Sequence, residues 1–136
     1  MNIQELFSKV KELGLSPGEY VLFDSAPMGI RGLRDCHDVD ILVTQDEWDK
    51  YRDRAGWVVR VGPRGDDYLE NGDLELWKNW APGDWDVQKL IDEADVIDDL
   101  PFVRLNSVME WKKLNAREKD LKDVEIIANF LKTENK

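Results

Sequence analysis

Two aspartates stand one residue apart at the head of an apolar run, Asp38-Val39-Asp40-Ile41-Leu42-Val43. Side chains two positions apart on a strand project from the same face. Asp38 and Asp40 would therefore set two carboxylates side by side, where like charges repel and raise each other's pKa. A hard divalent cation removes that repulsion, and Mg²⁺ is commonly held by one or two carboxylates together with substrate phosphates. The pair is a candidate half of a metal site for phosphoryl chemistry. The plainer alternative is a solvated strand end with Asp38 as a turn residue.

The preceding segment gives the pair a context. Tyr20-Val21-Leu22-Phe23 reads as a buried strand. It runs into Asp24-Ser25-Ala26-Pro27-Met28-Gly29 and then the basic stretch Ile30-Arg31-Gly32-Leu33-Arg34. Strand, small-residue turn with a serine, basic stretch and Asp-x-Asp strand, in that order, resemble the nucleotidyltransferase superfamily, the DNA polymerase beta-like fold. In that family a Gly-Ser dipeptide after the first strand holds the nucleotide phosphates, the Asp-x-Asp pair binds the metals, and a later strand adds a third carboxylate. Ser25 matches the serine, and Asp38 and Asp40 match the pair. Asp73-Leu74-Glu75-Leu76-Trp77 alternates as a half-buried strand does, and Glu75, between two leucines, is the best match for the third acid. Asp73 follows the hairpin dipeptide Asn71-Gly72 and is expected in the turn. Taken alone, Glu75 would be an ordinary outward-facing strand residue.

A second resemblance lies near the C-terminus. Lys112 followed by Arg117-Glu118-Lys119-Asp120-Leu121-Lys122-Asp123 looks like the Lys…Arg-x-Lys-Asp-x-x-Asp pattern of small bacterial nucleotidyltransferase-like proteins, some of them abortive-infection toxins. There the basic residues face the nucleotide phosphates. For Lys119 and Lys122 a solvated helix face with i, i+4 pairing explains the charges equally well. The resemblance implies Mg²⁺- or Mn²⁺-dependent transfer of a nucleotidyl group from an NTP to an acceptor hydroxyl. Asp38, Asp40 and Glu75 would be the catalytic, metal-binding carboxylates, with Glu75 also able to act as general base, and Ser25, Arg31, Lys112 and Arg117 would meet the phosphates. The chain departs from the pattern at Asp24, where the family has glycine, the residue suited to close phosphate approach. Asp24 either turns away from the cleft, helps to hold a cation, or weakens nucleotide binding. The last case corresponds to one alternative function, a catalytically weakened nucleotide-binding or regulatory module; a toxin–antitoxin-type partner with the same fold is the other.

Composition sets bounds on these readings. A chain of 136 residues is expected to form one domain, residues 1–136, with a real core. Its formal net charge of −10, from 29 acidic and 19 basic residues, argues against an extended nucleic acid as partner. Basic residues at Arg31, Arg34 and positions 112–122 leave room for a local anion site. Cys36 is the sole cysteine, which excludes an intramolecular disulfide and fits a reducing cytoplasm. With His37 the only histidine, a structural zinc site within one chain is excluded on ligand count. The start, Met1-Asn2-Ile3-Gln4-Glu5, lacks the features of a signal peptide, and no stretch approaches a membrane span.

The pattern of elements predicts an α/β fold, a mixed sheet flanked by helices and closed by C-terminal helices. Helices are expected at 3–13, from the Thr44-Gln45-Asp46-Glu47 capping box to about Ala55, and at Trp85–Ala94. Strands are expected at 57–61, around Tyr68-Leu69-Glu70, at Glu75, and as short extended pieces around Leu100-Pro101. Ser107-Val108-Met109-Glu110 and Asn115-Ala116-Arg117-Glu118 read as start signals of the last two helices. The final helix is expected to bury Leu121, Val124, Ile127, Ala128 and Leu131, and its tail, Thr133 to Lys136, to fray. Of six tryptophans, Trp77, Trp80 and Trp85 surround Ala81-Pro82-Gly83. Packing is their expected role, with base stacking the other chemistry open to them.

Overall fold

The two most apolar runs become adjacent central strands, β1 (Tyr20–Phe23) and β2 (Val39–Val43), in a computed structural model that describes residues 2–134. Near-continuous apolar sequence suits strands covered on both faces. Five further strands, β3 (Val58–Val61), β4 (Asp67–Asn71), β5 (Leu74–Trp77), β6 (Asp95–Ile97) and β7 (Leu100–Phe102), complete a seven-stranded sheet of order β3-β4-β5-β2-β1-β7-β6. β2 runs antiparallel to β1 and parallel to β5, so the sheet is mixed. The described residues also form six helices: α1 (Ile3–Glu12), α2 (Ala26–Gly29), α3 (Gln45–Arg52), α4 (Val87–Asp92), α5 (Leu105–Asn115) and α6 (Glu118–Glu134). This is the α/β architecture that the sequence predicts, with two helices at the C-terminal end. No helix among the described residues is long and apolar enough to cross a membrane.

Helices cover both sheet faces. On one, Leu6, Phe7 and Val10 of α1 and Trp48 and Tyr51 of α3 join Leu22, Ile41 and Leu76. On the other, Leu90 and Ile91 of α4, Val108 and Trp111 of α5 and Ile127 of α6 join Val21, Phe23 and Leu42. Thr44 caps α3 as expected, its hydroxyl accepting from the Glu47 N–H at 3.3 Å. The Glu47 carboxylate does not complete the box. It is buried and accepts instead from the Ser16 N–H (3.0 Å) and hydroxyl (2.9 Å), tying α3 to the loop before β1.

Several boundaries move. α3 stops at Arg52 rather than Ala55, and α4 occupies only Val87–Asp92, with Asp86 as its cap. α5 begins two residues before Ser107, and Asn115 ends α5 rather than opening α6, because Ala116 takes the left-handed conformation (φ 57°) and breaks the helix. Of the tail expected to fray, Thr133 and Glu134 are helical, and Asn135 and Lys136 lie outside the described residues.

The largest difference is the inner face of α6. Ile127 is buried, but Leu121 is 52% exposed and Ala128 is exposed. The helix is rotated so that Asp120 and Asp123 point inward, both buried. The reason is Lys112 of α5, itself fully buried, whose ammonium lies 2.9 Å from Asp123 and 3.6 Å from Asp120. Arg34 adds a 2.6 Å bond to Asp123. Arg117 and Asn115 bond Asp120 at 2.7 and 2.9 Å. Burial alone would raise the Asp120 pKa, but the bonds from Arg117 and Asn115, with the Lys112 charge, hold it below the ordinary value. Breaking one partner of such a buried pair leaves an uncompensated charge. Asp123→Ala should therefore lower unfolding stability by about 3–5 kcal/mol in urea denaturation. A loss below about 1 kcal/mol, the range of an exposed pair, would show that the cluster does not hold α5 to α6.

Candidate functional site

Strand register builds the site. Phe23 of β1 lies opposite Asp40 of β2, Asp40 opposite Glu75 of β5, and Glu75 opposite Glu70 of β4. Directly opposed residues share a sheet face. Asp40, Glu75 and Glu70 thus form a row of carboxylates on the face that α4, α5 and α6 partly cover. Next to this row lies a cleft of about 540 Å³. The strand ends contribute Phe23, Asp24 and Asp40 to it, and the β3–β4 loop contributes Pro63, Arg64 and Asp66. Trp77, Asn79, Trp80 and Ala81 follow from β5 and the segment after it, and Trp111, Asn115 and Arg117 come from the α5–α6 junction.

Asp24 does not turn away from this cleft. It sits where β1 breaks into α2, in the left-handed region at φ 60°, a conformation that aspartate tolerates better than most non-glycine residues. Its charge bears on Asp40 more strongly than those of Glu75 and Asp38. Burial, followed by the charges of Asp24, Glu75 and Asp38, pushes the Asp40 carboxyl well above the ordinary carboxylate range. Glu75 is also raised, by burial first and then by the charges of Asp38 and Glu70. The bond from the Trp77 indole N–H (3.0 Å) opposes that shift. Asp38 lies in the exposed bend before β2, and its charge reaches both acids.

The phosphate-binding residues expected from sequence fare unequally. Arg117 lines the cleft, although its guanidinium is engaged by Asp120 at 2.7 and 3.1 Å. Lys112 is not presented to the cleft but buried between Asp120 and Asp123. Arg31 lines a separate groove of about 350 Å³, where it pairs with Asp95 at 3.1 Å and donates to the Pro27 carbonyl at 2.7 Å. Ser25 precedes the short α2, and its hydroxyl lies 3.4 Å from the Cys36 sulfur rather than in the cleft lining. Cys36 is buried, and its thiol bonds the Asp38 carbonyl at 2.9 Å. Burial raises its pKa, the condition of an unreactive thiol.

Sequence reasoning missed the aromatic wall as a unit. Trp80 and Trp111 stack at 5.4 Å, and Trp77 stacks on Tyr68 at 4.3 Å. Trp111 is held by a bond to the Ala81 carbonyl at 3.0 Å. The clustering of Trp77 and Trp80 around Ala81 was the available signal; nothing local pointed to Trp111, which arrives from α5.

A carboxyl raised in the folded state contributes its stability at acid pH and loses it as pH climbs through the folded value. With chelator present, Asp40→Asn should therefore melt about 3 °C or more above wild type near pH 7.5 and about level with it near pH 4. A variant that melts lower at neutral pH would contradict the crowding of these acids. No described protein family, curated protein or solved structure shows a significant match to the chain, so any functional reading rests on the site itself.

Proposed function

We propose that this protein is a nucleotidyltransferase of the polymerase beta-like kind, moving a nucleotidyl group from an NTP to an acceptor hydroxyl in a reducing cytoplasm. The observation that carries the reading is the pairing of Asp40 with Glu75 across adjacent strands, crowded by Asp24 and Asp38, beside an indole-lined cleft. The donor chemistry fits a hard divalent cation: the ligands are carboxylate oxygens whose mutual repulsion such an ion would relieve. Among the described residues no three His, Cys, Asp or Glu side chains are already grouped around one point, so the fit is one of ligand type and charge. Asp38, Asp40 and Glu75 would hold Mg²⁺ or Mn²⁺, which supplies neutralisation of charge on the phosphates and the acceptor oxygen.

The chain's own groups divide the remaining work. Glu75 would also take the acceptor's proton as general base. The indoles that line the cleft offer a base an aromatic contact, Trp77 being the least buried of the three. Arg117 brings positive charge to the cleft rim. The net charge of −10 favours an acceptor other than an extended nucleic acid. Two measurements test this reading. Incubation with labelled NTPs and Mg²⁺ should release pyrophosphate, and Asp40→Ala should abolish the release. Mg²⁺ or Mn²⁺ should also raise the melting temperature of wild type by mass action but not that of Asp40→Ala; an equal metal response in both proteins would sink the assignment.

One observation favours a second reading, a nucleotide-binding or regulatory module with weakened turnover. Asp24 lines the cleft and adds negative charge where a triphosphate would approach. On this reading Asp24→Gly should tighten Mg²⁺-dependent ATP binding by about 1–2 kcal/mol, roughly tenfold, in calorimetric titration. If Asp24 instead helps to hold the cation, Asp24→Gly should weaken both metal and nucleotide binding.

A further inference from the structure

The loop between β3 and β4 lines one side of the cleft and is fastened across it by one side chain. Arg64, near its tip, donates from Nη2 to the Asn115 Oδ1 at 2.7 Å. The loop is a defined turn. The Gly62 N–H donates to the Asp66 carbonyl at 2.8 Å and the Gly65 N–H to the Gly62 carbonyl at 3.0 Å. Its base is seated on an indole of the cleft, since a Cβ at Gly62 would lie 2.8 Å from the Trp77 ring. On the opposite side the partner is fixed. Asn115 donates from Nδ2 to Asp120 at 2.9 Å, which leaves its Oδ1 to face Arg64.

The two cleft-lining guanidiniums differ in charge balance. Arg117 is matched by the Asp120 carboxylate at 2.7 Å. Arg64 holds only a neutral amide, and among the described residues it forms no salt bridge. A planar guanidinium matches phosphate geometry in a bidentate fashion, and a bond to an ionised acceptor is roughly twice as strong as one to a neutral acceptor. A polyphosphate entering beside Asp40 therefore offers Arg64 a better partner than Asn115. We propose that Arg64 binds the polyphosphate of the substrate, and that the β3–β4 loop is a strap which exchanges Asn115 for that anion. The proposal rests on the nucleotide reading above and assigns the substrate-binding cation that Lys112 and Arg31 do not provide.

The test is a titration of the full chain, followed by calorimetry and tryptophan fluorescence, with Mg·ATP, Mg·GTP, inorganic tripolyphosphate and adenosine. Arg64→Gln, at an exposed position, should keep the wild-type melting temperature. It should bind Mg·ATP and tripolyphosphate about tenfold or more weakly, with adenosine binding unchanged. Gly62→Ala, which forces the loop off Trp77, should weaken the same two ligands. Wild-type affinity for Mg·ATP in Arg64→Gln would overturn the strap and leave the nucleotide reading standing. Equal losses for adenosine and tripolyphosphate would reduce Arg64 to a structural role and also overturn it. Absence of ATP and GTP binding to wild type at millimolar ligand would overturn both.

Discussion

The register of β2 between β1 and β5 is the constraint on which the site depends. Ile41, opposite Leu22 and Leu76, is buried on one face of the sheet, while Asp40, opposite Phe23 and Glu75, emerges on the other. A slip of one residue would exchange these faces, burying carboxylates under α1 and α3 and exposing the core. The apolar contacts on the far face thus fix like charges side by side on the near one. Burying several large side chains, at about 1.5–3 kcal/mol each, readily offsets the repulsion among Asp24, Asp40 and Glu75. The site can remain electrostatically unfavourable in the folded protein because the core, not the site, sets the register.

The molecule contains a second cluster of charges that behaves in the opposite way. Around Lys112 opposite charges meet: Asp120 and Asp123 contact Lys112, Arg34 and Arg117 at 2.6–3.6 Å. That arrangement is complete without a ligand and holds α5 against α6. Near the cleft, by contrast, Asp24, Asp40 and Glu75 form no salt bridge among the described residues, and only Glu70 at the end of the row meets a cation, Arg60 at 3.5 Å. Asn115 joins the two regions, with Asp120 on one side and Arg64 on the other. The buried cluster thereby sets the edge of the cleft, and Arg117 belongs to both.

The legible part of the sequence was the part written in short-range periodicity. Apolar runs marked β1 and β2, and polar–apolar alternation marked β5 and placed Glu75 correctly on its strand, opposite Asp40. Asp73 falls in the turn after Asn71-Gly72, as the dipeptide indicates. The rest depended on partners distant in the chain. The apolar stripe of α6 reads as its inner face, but the buried Lys112 draws Asp120 and Asp123 inward and leaves Leu121 exposed. Arg31 and Lys112 looked available because Asp95 and Asp123 are not their sequence neighbours in any helical or strand period. Asp24 could not be oriented from sequence, because its direction follows from a left-handed backbone at the end of β1.

Divalent-cation binding at the crowded carboxylates, on which the proposed function depends, would show in how Asp40 titrates. The most direct measurement is the titration of the Asp40 carboxyl carbon by NMR, without metal and then with saturating Mg²⁺. The expected result is a metal-free midpoint well above the ordinary carboxylate range, and a large downward displacement once Mg²⁺ is bound. An ordinary midpoint that Mg²⁺ leaves unmoved would contradict it.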